Sequence, residues 1–194
     1  SDAARQVGWI SREAWARLES ARQGPRGRVA PRDRPFGDHV VVREGRAVLL
    51  ADAPVSITSV LELAAAAAET ASAIDRVTLA RIGSVDGNVA WGPDDRAAFF
   101  RVLRAGRPAV AVFESLDHVG ALVRLLPEWE HVRALPQRNA YHRFTVDRHL
   151  LEAVVECVGI LDEESFDGEI ARRARPELLL FGALTHDIGK GLPG

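Results

Sequence analysis

Methionine is absent from all 194 residues, and cysteine and lysine occur once each, as Cys157 and Lys190. A single thiol excludes an internal disulfide and fits a reducing compartment, so a cytoplasmic location is expected. With no methionine even at position 1, we expect a processed piece of a longer protein. No apolar run is long enough to span a bilayer: the longest, residues 60–74, is broken by Glu62 and Glu69. Excess charge is also lacking. The net charge of −2 provides no field to draw the chain onto nucleic acid or an anionic membrane, so neither is expected as a partner. Aromatic residues make up 6% of the chain, and the arginine-rich stretch 23–38 holds only Phe36, too few for a base-stacking platform. A glycine-rich phosphate loop is missing as well. Gly83-Ser84 is followed by one nearby carboxylate, Asp86, where two-metal nucleotidyl transfer needs a pair.

What remains is a 47% hydrophobic, 27% charged globular profile. Ile10, Ala14, Trp15 and Leu18 fall at helical spacing. Residues 23–38 are too rich in proline and glycine for a central element and read as a connector. Residues 39–50 form a β-hairpin pattern around Glu44-Gly45. Ser59, with Glu62 three residues later, reads as a capping box for an alanine-rich helix running to about Ala73. Short helices are expected at 78–82, from Pro93 to Gly106, at 108–118 and at 121–126. The expected fold is mostly α: a helical, bundle-like region over 1–135 with one β-hairpin, leading into further helices over 136–194.

The chemistry lies in that last segment. Thr145 is placed to cap a helix carrying His149, an acidic loop follows over 162–169, and Pro176 opens an apolar helix ending in His186-Asp187. Consecutive helical side chains point about 100° apart, yet at a last turn an imidazole and a carboxylate can converge on one ion. Such a mixed donor set suits a first-row divalent ion or manganese, and a purely oxygen site suits magnesium better. A third ligand must come from another helix, and His149 is suitably spaced. Lys190 follows on a loop where it can meet phosphate charge. His142 is either a surface histidine or a contact residue. His118 and His131 read as helix-end residues, and Cys157 as buried and inert.

His142-Arg-Phe-Thr-Val-Asp-Arg-His149, followed by Leu-Leu-Leu-Phe-Gly-Ala-Leu-Thr-His186-Asp187-Ile-Gly-Lys190-Gly, resembles the HD phosphohydrolase domain of the bacterial PII uridylyltransferase/uridylyl-removing family. The hairpin, the helix around Phe99 and Leu125-Leu-Pro-Glu-Trp129 resemble the segment joining that family's nucleotidyltransferase core to its HD domain. Arginine-rich usage suggests the actinobacterial branch, where some relatives transfer AMP instead of UMP.

The resemblance implies that residues 1–135 follow a nucleotidyltransferase core and that 136–194 begin the HD domain. It implies a divalent metal (magnesium or manganese) held by His149, His186 and Asp187, with His186, Asp187 and Lys190 in catalysis. The implied partners are the PII signal protein, UTP or ATP, and glutamine through ACT domains. The last aspartate of the H…HD…D motif, the transferase aspartates and the ACT domains are not in this sequence, so the chain by itself is expected to be inactive. Two alternatives stay open: the HD phosphohydrolase of tRNA nucleotidyltransferases, and a non-catalytic helical scaffold.

Overall fold

The structure is a computed structural model and describes residues 33–86, 90–137 and 144–192, with residues 7, 8, 10, 11, 14, 15 and 18. Those seven are helical, as the spacing of Ile10, Trp15 and Leu18 predicts, and these three side chains are exposed together with Val7. Most of the connector (residues 23–32), residues 87–89 and His142 lie outside the described residues.

The hairpin forms as β2 (Val40–Arg43) and β3 (Arg46–Leu49), with Val40 opposite Leu49 and Arg43 opposite Arg46. Glu44 and Gly45 both take positive φ, 50° and 73°, as a two-residue turn matching the strand twist requires. The sheet is larger than the hairpin pattern suggests. Arg34–Pro35, read as connector, is an antiparallel strand (β1) beside β2. Its register is backed by Arg43, which donates to both carboxylate oxygens of Asp33 at 2.6 Å. On the far side Ala73–Ile74 (β4) runs parallel to β3.

Helix α1 (Ile57–Glu69) lies under this sheet. Its cap is Ser56, three residues before the expected Ser59. Ser56 Oγ accepts from the Ser59 amide and Ser59 Oγ from the Ser56 amide, so the box closes on serine rather than on Glu62. The buried stripe explains the shift: Ile57, Val60, Leu61 and Ala64 all face the core, and Ile57 needs a cap before it. The helix also stops early, at Glu69, because the edge of β3 takes Ala73 and Ile74 into its ladder. Alanines 64–68 are all buried, which lets neighbouring helices approach closely.

α2 (Arg76–Ile82) is capped by Asp75. α3 (Pro93–Arg104) has proline in its first turn, as expected, and Asp95 accepts from the Gly92 amide at 2.7 Å. α4 (Arg107–His118) and α5 (Ala121–Leu125) follow, then a 3-10 turn at Pro127–His131. Phe99, Phe113 and Trp129 are buried and stack in sequence, with ring centroids 6.1 Å apart in each pair.

The C-terminal segment supplies α6 (Val146–Asp162), α7 (Phe166–Arg173), α8 (Pro176–Thr185) and a 3-10 turn at Ile188–Gly191. The acid-rich stretch 162–169 is therefore not all loop. Ser165 caps α7, and Asp167 and Glu169 sit in its first turn, where the helix dipole favours them. Leu150, Leu180 and Leu184 are fully buried in the same core as Leu103, Phe113 and Trp129. Gly106, between α3 and α4, lets this packing close: a Cβ there would sit 3.1 Å from Val158 of α6. Arginine pairs add to the seam, Arg107 with Glu152 and Arg148 with Glu114.

Candidate metal centre

α6 and α8 pack together so that the first turn of one meets the last turn of the other. This brings His149 to His186-Asp187. His149 Nε2 lies 3.2 Å from His186 Nε2 and 3.8 Å from Asp187 Oδ2, and His186 Nε2 lies 3.4 Å from that oxygen. Among the described residues these three form the group of histidine, cysteine and acidic side chains whose donor atoms converge. His118 and His131 lie in the last turns of their helices, as expected, and outside this group.

The donor set fits a divalent cation. Points equidistant from three atoms so separated lie as near as about 2.0 Å to each, the length of common metal–imidazole and metal–carboxylate bonds. The histidine tautomer agrees. A carbonyl only accepts, so the 2.8 Å contact of His186 Nδ1 with the Ala183 oxygen puts the hydrogen on Nδ1. In the neutral ring Nε2 is then a lone pair aimed at the other two donors. Two such nitrogens 3.2 Å apart repel unless a proton or a cation lies between them. Asp187 is the most enclosed of the three, with side-chain exposure of 17% against 31% for His149 and 42% for His186. One side of the group is thus open to solvent.

Lys190, expected beside phosphate, donates to Asp187 Oδ2 at 2.6 Å. Burial pushes the Asp187 carboxyl up, but the Lys190 hydrogen bond and the nearby His186 and His149 outweigh it, and the net direction is down. Asp187 is therefore an anion at neutral pH. Cys157 is half-buried rather than buried. Burial first, and Glu156 second, raise its thiol, which leaves it a poor nucleophile as expected.

The supporting residues were not visible in sequence. Thr145 holds the N-cap position of α6, but its hydroxyl makes no capping bond. The carboxylate of Asp147, 3% exposed, accepts from the Ala134 amide at 2.8 Å and from the Arg148 amide at 2.9 Å. Arg148 donates to Glu152 and Glu114 at 2.8 and 2.7 Å, and Glu152 also accepts from Arg107 at 2.6 Å. After the His-Asp pair, Gly191 lies against the backbone of His131: a Cβ there would fall 1.8 Å from the His131 oxygen. The Gly-Lys-Gly run is the one sequence signal of that close approach.

No protein-family model and no solved structure matches the chain. Curated proteins do. The bifunctional uridylyltransferase/uridylyl-removing enzyme of Streptomyces coelicolor is 39% identical over 197 residues, covering 98% of this chain and 22% of that protein. The protein of the same name from Mycobacterium tuberculosis is 39% identical over 199 residues, covering 98% and 23%. That of Corynebacterium glutamicum is 34% identical over 134 residues, covering 69% and 18%. The chain spans about a fifth of the length of these curated relatives.

Proposed function

This chain is a homologue of a segment of the bifunctional uridylyltransferase/uridylyl-removing enzymes, and on that premise we propose that it carries part of the uridylyl-removing centre, a metal-dependent phosphodiesterase site of the HD type. Residues 1–135 are then the helical region following a nucleotidyltransferase core, and 136–194 the start of the HD domain. Transfer of UMP or AMP from UTP or ATP, and glutamine sensing, belong to other parts of the longer cytoplasmic protein. The observation that carries this reading is the convergence of His149, His186 and Asp187 from two helices.

The substrate is PII bearing a nucleotide on a tyrosine. Hydrolysis forms a bond from a water oxygen to phosphorus and breaks the bond from phosphorus to the tyrosine oxygen, which leaves and takes up a proton. When bound, a magnesium or manganese ion supplies Lewis-acid polarisation of a phosphoryl oxygen and a nucleophile from water at neutral pH. His149, His186 and Asp187 hold that ion. The Ala183 carbonyl keeps His186 oriented, and the lowered carboxyl keeps Asp187 charged. Lys190, exposed and three residues from Asp187, is within reach of the phosphate charge. Three donors among the described residues, without the last aspartate of the H…HD…D motif and without paired transferase carboxylates, leave the 194-residue chain inactive by itself.

The test uses the full-length protein with uridylylated PII and Mn²⁺. His186→Ala abolishes release of UMP while transfer of UMP to PII persists. Release at the wild-type rate by that variant refutes the reading, as does activity confined to 2′,3′-cyclic nucleotides.

A further inference from the structure

Both arms of the site rest on one short piece of backbone. The His149 arm is tied to it at the start of α6. Asp147, two residues before His149 and buried, accepts from the amide of Ala134, and the Val146 amide donates to the Leu135 oxygen at 2.9 Å. The His186-Asp187 arm is tied to it through the following 3-10 turn. Gly191 sits directly on the His131 carbonyl, and in the same turn the Lys190 amide donates to the Asp187 backbone oxygen at 3.0 Å. Ala134 takes φ 52°, a left-handed conformation that a non-glycine residue keeps only when its surroundings impose it. The bond from Ala134 N–H to a buried carboxylate is such an imposition.

We propose that residues 131–135 are a strap that sets the spacing of the three donors, and that Asp147 is the positioning residue that fastens it. α6 and α8 pack together, with Leu150, Leu180 and Leu184 buried in one core. The donors, however, lie at the helix ends, where fraying is greatest and backbone groups lack partners within the helix. Holding two helix ends against a common support removes that freedom. This inference rests on the metal reading above, and it assigns the job of setting the donor gap to residues that touch neither metal nor substrate.

The experiment measures Mn²⁺ affinity of this chain by electron paramagnetic resonance, at a temperature below every variant's melting transition. Asp147→Ala weakens Mn²⁺ roughly tenfold or more, the usual effect of losing support behind a ligand. Asp147→Asn, which keeps an acceptor for the Ala134 amide, recovers most of the affinity. Asp95→Ala, which removes another buried capping carboxylate at the start of α3, lowers the melting temperature but leaves Mn²⁺ binding unchanged. Gly191→Ala lifts the strap from the other side and weakens binding with the helical circular dichroism intact, so the test holds even if Asp147→Ala does not fold. Wild-type affinity in Asp147→Ala or in Gly191→Ala, with binding lost in His149→Ala, overturns the strap and spares the metal site. Wild-type affinity in His149→Ala overturns the site and the strap with it.

Discussion

Gly106 offers a measurable test of how α6 is seated. Its φ of 66° and ψ of −122° lie where a side chain is strained, outside the small left-handed region that asparagine tolerates. Gly106→Ala meets two penalties. The backbone conformation costs about 1–3 kcal/mol. The new Cβ also lies 3.1 Å from Val158 Cγ1, so α6 must shift by a few tenths of an ångström, which adds about 1 kcal/mol on the scale of core overpacking. The sum, about 2–4 kcal/mol, is a large part of the roughly 5–15 kcal/mol that holds a domain folded. For a chain of this size it corresponds to a fall in Tm of about 4–16 °C. Urea and thermal unfolding followed by circular dichroism measure it. Two companions separate the causes. Val158→Ala in the Gly106→Ala background relieves the contact alone, so it costs less there than in the wild type. Gly106→Asn is no better tolerated than alanine. A Tm for Gly106→Ala within about 2 °C of wild type refutes the reasoning, because neither penalty would then be present.

Three further outcomes are expected. Phe113→Ala, between Phe99 and Trp129 in the buried aromatic stack, costs about 3–5 kcal/mol by urea unfolding, and a loss below about 1 kcal/mol refutes the packing. Glu152 is pushed up by burial but brought below its ordinary 4.5 by Arg148 and Arg107. Because its folded-state value is depressed, its contribution is present above about pH 4.5 and lost as pH falls through the folded value. Glu152→Gln is therefore less stable than wild type near neutrality, the two converge in acid, and a pH-independent difference contradicts the assignment. Lys190→Ala removes the cation from Asp187, so this chain binds Mn²⁺ about two- to fivefold more tightly, while nucleotide release by the full-length protein falls; weaker Mn²⁺ binding shows that Lys190 does not compete for the carboxylate.

The hairpin and its turn, the helix opening at Pro93, the break at Gly106, and the residues able to hold a metal are all legible in the sequence. These follow from local chemistry: alternating β-branched residues, a proline suited to a first turn, a conformation only glycine takes, and a His-Asp pair at a helix end. The rest arises from packing. Ala73 falls outside helix α1 because the edge of β3 offered it and Ile74 ladder partners that no local pattern announces. Ser56 displaced Ser59 as the cap because Ile57 belongs to the buried stripe. The distances among His149, His186 and Asp187 depend on how α6 pairs with α8, and on the Asp147 and Gly191 contacts with residues 131–135. Donor identity is a property of side chains and is legible in one dimension. Donor spacing depends on contacts between residues far apart in the chain, and only packing creates it.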